Sequence, residues 1–303
     1  MNPCAASNSD MLNALTFDVE DYFHVHAFEN VIERKAWSDI PTRIVENTRL
    51  ILELLREYDT KATFFVLGWV AERHPEIVQE IAADGHELAS HGYAHESVYK
   101  LNPDAFRSDL QRSLDAIHSA FPTASIQGYR APSFSITEET YWAFEVLVSL
   151  GFAYDSSVFP VTLHDRYGIH SAPRRAHVVG DQLVEIPLST IRALGCNWPV
   201  AGGGYFRLAP MSFTTWAIRR INREGHPAVV YLHPWEFDPE QPRVVSAALR
   251  SKFRHYVNLH HTEQRLRALL QRFSFGPIEH VFREELALVR RSKDLVDAGQ
   301  RTT

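Results

Sequence analysis

An α/β fold, a parallel sheet curled into a closed or nearly closed (β/α) barrel, is what this sequence predicts. Three observations lead there. Short β-rich apolar runs alternate with amphipathic helical stretches five or more times, the pattern of a parallel sheet with helices outside. The length, 303 residues, suits one barrel with an extension. Asp18, His91, Arg130, Asp155 and His233 each stand directly or almost directly after a predicted strand. In a barrel such positions converge on one mouth, where active sites form. An open doubly wound sheet is the alternative.

The elements follow in order. Residues 1–10 read as a tail, and Leu12–Phe17 as a buried strand. Thr42–Tyr58 puts Ile44, Ile51, Leu52 and Leu55 on one helical face. Lys61–Leu67 is the second strand. Pro75 opens a helix through Ala83, stopped by Gly85. Glu87–Ala89 is a third strand, Pro103–Ala120 a helix and Gln127–Tyr129 a fourth strand. Thr137 caps a helix to Leu150, with Glu138 and Glu139 in its first turn. Phe152–Tyr154, Val184–Ile186 and Ala228–Leu232 are further strands, with a helix over Met211–Glu224 and the last strong helix at Thr262–Phe273. Periodicity weakens from Gly168 to Gly204, and Gly202-Gly203-Gly204 reads as a loop. No Lys-Ser/Thr follows it, so it is not a phosphate loop. The expected organisation is a tail at 1–11, a barrel at 12–240 and a helical extension at 241–303 packed on it.

Composition excludes several classes. Apolar residues make up 45% of the chain, enough for a sizeable core. A net charge of -6 argues against a nucleic-acid partner. No run approaches the ~18 apolar residues that span a bilayer. The first ten residues lack the basic and apolar regions of a secretory signal. Two cysteines, Cys4 and Cys196, provide no disulfide framework. A cytoplasmic location, peripheral to the inner membrane at most, is the expectation.

The chemistry is concentrated in two stretches. Ser90-His91-Gly92-Tyr93-Ala94-His95 sets two imidazoles four apart in a polar segment. Leu15-Thr16-Phe17-Asp18-Val19-Glu20-Asp21 ends an apolar strand in three acids. Two imidazoles and a carboxylate can hold a divalent metal with an open position for water, and a second carboxylate can serve as base. Together they point to metal-assisted hydrolysis. Glu20 or Asp21 supplies the oxygen ligand, leaving Asp18 free to take a proton. His233 ends Ala-Val-Val-Tyr-Leu and can protonate a departing amine, and Arg130 can orient an acid. His24 and His26 form another same-face pair, read as lining the cleft.

These motifs, in this order from Leu12 to Trp235, resemble those of polysaccharide deacetylases of the NodB-homology group, carbohydrate esterase family four. Leu15–Asp18 resembles the motif whose leading Asp is the family's base. Ser90–His95 resembles the metal motif, with Gly92 where a Ser or Thr usually stands. Gly128-Tyr129-Arg130-Ala131-Pro132-Ser133-Phe134 resembles the motif that orients the base. Tyr154-Asp155-Ser156-Ser157 resembles the groove wall, and Leu232-His233 the motif carrying the acid. Many members have two adjacent acids in the first motif. Here Val19 intervenes, so Glu20 becomes the ligand, with Asp21 its rival. Asp18–Val25 and Leu232–Pro242 look like a narrower subfamily associated with exosortase-linked exopolysaccharide loci.

The resemblance implies a distorted or incomplete (β/α) barrel that deacetylates N-acetylated sugars. A divalent ion, zinc with cobalt and nickel as alternatives, would sit on His91, His95 and Glu20 or Asp21. Asp18 would be the base, His233 the acid and Arg130 the residue holding Asp18. Phe134, Tyr154, Asp155 and Trp235 would shape the sugar cleft. A cyclic amide or ureide hydrolase on the same scaffold, and a non-catalytic glycan-binding protein, are the rival readings.

Overall fold

The structure, a computed structural model, describes residues 11–161, 168–180, 182–200 and 202–289. The expected tail at 1–10, with Cys4, and the charged run from Arg290 lie outside them. The centre of the sheet is β1 (Leu12–Val19), every residue of which except Leu12 is buried. A strand covered on both faces reads as a continuous apolar run rather than an alternation, which is why Leu12–Phe17 is so plain in the sequence. After it come α1 (Ile44–Glu57), β2 (Thr63–Val66), α2 (Gly68–Arg73), α3 (Pro75–Ala83), β3 (Glu87–Ser90), α4 (Pro103–Ala120), β4 (Gly128–Tyr129), α5 (Trp142–Ser149) and β5 (Tyr154–Asp155). The second half has β6 (His177–Val179), β7 (Leu183–Glu185), β8 (Thr190–Ala193), β9 (Cys196–Pro199), α6 (Gly203–Leu208), α7 (Met211–Arg223) and β10 (Val229–Leu232). Last come α8 (Leu249–Tyr256), α9 (Thr262–Leu270), β11 (Ser274–Gly276) and α10 (Ile278–Val281).

The sheet order is β10-β1-β2-β3-β4-β5-β7-β6. All neighbours are parallel except the β6–β7 edge pair. Side chains alternate between two layers, as a pleated strand requires. Phe17, Phe64, Leu88, Val230 and Leu232 belong to the outer core beneath the helices. Ala14, Phe65, Ala89, Val229 and Tyr231 fill the inside of the curl. Phe17 and Phe64 stack at 5.1 Å. Truncating either to Ala in such a core typically costs about 3–5 kcal/mol.

Among the described residues no strand pairs β7 with β10, so the barrel is incomplete. The segment after β7 spans the gap instead. Ser189 Oγ accepts from Val229 N at 2.7 Å, and Gly202 forms a parallel bridge to Tyr231. Gly202 has φ +154°, and a Cβ there would stand 1.9 Å from the Tyr231 ring. The expected triglycine loop is corrected in part, because α6 begins at Gly203.

Segment 241–289 is more than a helical extension. β11 pairs with the start of β1, and Ile278, Phe282 and Leu286 plug the floor of the curl. There the Glu87 carboxylate accepts from Thr63 Oγ1 at 2.6 Å, Tyr154 Oη at 2.7 Å and Glu279 N at 3.1 Å. Tyr154 reaches it by lying across Gly128, where a Cβ would be 2.0 Å from the ring.

Candidate metal and catalytic site

The site is built at the carboxyl ends of the strands. Asp18 and Glu20 are two apart, so strand alternation turns both to the same side, while Val19 goes into the outer core. An Asp-x-Glu pattern thus delivers two carboxylates to one cavity. His91 and His95 follow β3 in a loop folded tightly by Gly92 (φ +73°) and by His95 itself (φ 50°). No hydroxyl is needed at position 92. Asp109 of α4 accepts from Tyr93 N at 2.8 Å and Ala94 N at 3.1 Å, and Ser90 Oγ accepts from Gly92 N at 3.2 Å. A Cβ on residue 92 would come within 2.9 Å of Asp109 Oδ2.

Glu20, His91 and His95 each offer one ligand atom, and these atoms all lie within 4.8 Å of one another. His91 Nδ1–H donates to the Arg130 carbonyl at 2.8 Å, which leaves Nε2 with its lone pair facing the cluster. Burial holds the His91 pKa at about 4, so the ring is neutral, as a ligand must be. Burial opposes the Glu20 charge, but the contacts with His95 and His233 outweigh it and hold the carboxyl well below its ordinary range. Glu20 Oε2 lies 2.6 Å from His95 Nε2, and Trp235 Nε1 donates to Oε1 at 3.2 Å. Two imidazole nitrogens and one carboxylate oxygen are a donor set that fits zinc.

Asp18 is held from one side by Arg130, whose Nη1 donates to Oδ1 at 2.7 Å. That guanidinium is wholly buried. It also donates to Thr16 Oγ1 at 2.8 Å and to Ser156 O and Oγ, both at 3.0 Å, over the Phe65 ring. The other Asp18 oxygen faces His233 Nε2 at 3.8 Å, which is also 3.7 Å from Glu20 Oε1. His233 Nδ1–H donates to Glu236 Oε1 at 2.7 Å. Glu236 Oε2 in turn accepts from Arg207 Nε at 2.7 Å. Arg207 also donates to the carbonyls of Arg254, His255 and Val257. Burial pulls the His233 pKa down, but the Glu236 hydrogen bond and the charges of Glu236, Glu20 and Asp18 prevail and raise it to about 9. A carboxylate able to take a proton and an imidazolium able to give one therefore face the same space.

That space is a cleft of about 470 Å³. Phe134, Tyr205, Tyr231 and Trp235 line it with Asp18, Glu20, His91, His95 and His233. Of the sequence-predicted residues, four lie elsewhere. Asp21 is turned to the start of α1, where its Oδ2 accepts from Thr42 Oγ1, Arg43 N and Ile44 N at 2.7, 2.7 and 3.1 Å. Its carboxylate is occupied by capping and leaves the cluster to Glu20. Tyr154 is in the floor network, away from the cleft. Asp155 is buried against Ser157, whose Oγ donates to it at 2.6 Å, and against its strand neighbour Glu185. Burial raises both acids. His24 is likewise enclosed, its ring among Phe23, Trp37 and Trp69, whereas His26 does line the cleft. Sequence reasoning missed the roles of Glu236 and Arg207. Glu236, three residues past His233, carried a local signal. Arg207 carried none.

Residues 9–154 match the family model of polysaccharide deacetylases. The chain carries a polysaccharide deacetylase domain of the NodB-homology type. Residues 156–283 match a second model, a domain of unknown function (DUF3473). The deacetylase domain is 38% identical over 74 residues to a peptidoglycan-N-acetylglucosamine deacetylase of Bacillus cereus, covering 24% of this chain and 27% of that protein. It is 36% identical over 83 residues to a chitooligosaccharide deacetylase of Rhizobium leguminosarum bv. trifolii, covering 27% and 39%. The chain thus spans well under half of the length of either relative. A crystal structure from Mycobacterium smegmatis, assigned to the polysaccharide deacetylases, superposes with a TM-score of 0.58 at 21% identity over 97% of this chain and 95% of that one. It shows that the fold is shared. The deacetylase match supplies Asp18, Glu20, His91, His95 and Arg130, while His233, Glu236 and Arg207 come from the second segment.

Proposed function

We propose that this chain is a metal-dependent hydrolase that removes acetyl groups from N-acetylated sugars of a bacterial exopolysaccharide or its precursor. The observation carrying this reading is the meeting of Glu20, His91 and His95 beside an Asp18 flanked by Arg130 and His233. Glu20, His91 and His95 would hold the ion. A divalent ion, zinc by donor type with cobalt and nickel as alternatives, supplies Lewis acidity and a water of lowered pKa. Asp18, oriented by the Arg130 hydrogen bond, takes the proton of the attacking water. His233, charged by its contact with Glu236, gives a proton to the amine nitrogen as the C–N bond breaks. Phe134, Tyr205, Tyr231 and Trp235 offer aromatic faces to sugar rings. The exopolysaccharide assignment rests on the likeness of Asp18–Val25 and Leu232–Pro242 to the exosortase-linked subfamily and on the second family match.

The test is acetate release from N-acetylated oligosaccharides, read together with metal content. His91→Ala should lose bound metal and turnover together. Asp18→Asn should keep the metal and lose about 10²–10⁴ in rate. Undiminished metal in His91→Ala would remove the metal site, and undiminished turnover in Asp18→Asn would remove the base.

A further inference from the structure

We propose that α8 and the turn before it dock on an anionic phospholipid bilayer, setting the mouth of the cleft at the membrane surface. Between Glu240 and Glu263 the chain has no acidic residue, yet it carries Arg243, Arg250, Lys252 and Arg254. This is a cationic segment in a protein of net charge -6. The same stretch shows large apolar side chains to solvent. Val245 is 82% exposed, Leu249 81% and Phe253 62%. Leu249 and Phe253 are four apart and share one helix face. Lys252 Nζ donates to the Val245 carbonyl at 3.1 Å, which folds the turn carrying Val245 back toward α8. An apolar stripe edged by basic side chains matches the bilayer interface. Its apolar groups enter the acyl boundary, and its cations meet lipid phosphates.

Position strengthens the case. Arg250, Ser251 and Arg254 on this helix line the cleft, so the stripe and the cleft mouth adjoin. The helix is also fixed to the body. His255 stacks on Trp235 with ring centroids 4.1 Å apart and lies 2.6 Å, Nε2 to Oε1, from Gln241, while Arg207 binds three carbonyls of the 254–257 segment. Charge selects an anionic lipid surface over a neutral one, and the apolar stripe selects a bilayer over a soluble polyanion.

The experiment is co-sedimentation of the full chain with phosphatidylcholine vesicles, with and without phosphatidylglycerol. Vesicle binding is read without substrate, so loss of docking and loss of the proposed deacetylation are separate results. The expected outcome is binding only with phosphatidylglycerol, weakened by salt. Leu249→Ser combined with Phe253→Ser should bind about a hundredfold more weakly, and Lys252→Glu about tenfold. Both should keep the wild-type melting temperature and acetate release from a soluble oligosaccharide. Equal binding to neutral vesicles, or variants that bind like wild type, would overturn the proposal. So would binding to a soluble anionic polysaccharide with none to vesicles.

Discussion

Replacing Glu87 by Gln should remove a pH dependence from folding and stabilise the protein above neutrality. Glu87 is buried in the barrel floor, and its partners Thr63, Tyr154 and the Glu279 amide are all neutral donors. Burial raises its pKa to about 7, against the lowering effect of those donors. In the unfolded chain the same carboxyl titrates near its ordinary 4.5. Between these two values the unfolded state has released its proton and the folded state still holds one. Stability therefore falls as pH rises through this window and stays low above it. At 1.36 kcal/mol per pKa unit the loss is about 3 kcal/mol. Gln cannot ionise, so the variant escapes that loss, although Tyr154 must turn its hydroxyl to meet the amide at a cost of about 1 kcal/mol. Urea midpoints of both proteins at about pH 4.5 and about pH 8 isolate the effect, since every other group titrates in both. The wild type should lose about 3 kcal/mol more than the variant between the two conditions. Parallel stability profiles would refute the reasoning.

Three further outcomes bear on the site. Glu20→Gln should lose most bound metal, while Asp21 and the cap it provides at the start of α1 stay intact. Asp21→Ala should keep the metal and lose about 1–3 kcal/mol of stability, because the buried amides at the start of α1 lose their acceptor. Metal analysis beside thermal unfolding separates the two acids. Glu236→Gln should leave the buried Arg207 facing a neutral amide and destabilise the fold by about 3–5 kcal/mol. Steady-state kinetics on N-acetylated oligosaccharide should show kcat falling more than KM changes, with partial recovery in Glu236→Asp.

What could be read from the sequence was local. A buried run ending in acids, two histidines four apart, an Arg and a His after strands each announce themselves by residue type and place. What could not be read needed a distant partner. Glu20 and Asp21 are adjacent acids, and only Thr42, Arg43 and Ile44 show that the second is a cap. Strand parity with Asp18 favours Glu20, as does the family resemblance of the first motif. Tyr154 and Asp155 form a strand of two residues, too short for any periodicity to tell which way its side chains turn. The strands β6, β8, β9 and β11 are three or four residues long. β11 exists because it pairs with the start of β1, at the far end of the chain.

The boundary between the two family matches has a physical consequence. The first match stops at 154 and supplies the proposed metal donors, the proposed base Asp18 and its partner Arg130. The proposed acid His233, with Glu236 and Arg207, lies in the second. The second segment cannot be an appended module, because β10 and β11 both pair with β1, the strand that delivers Asp18. Removing it would strip β1 of every neighbour on one side, expose the backbone of a buried strand, and unseat Asp18 along with His233. Asp18 and His233 are thus held 3.8 Å apart by the same β1–β10 pairing that builds the sheet, so the proposed base and acid come together only as the sheet folds.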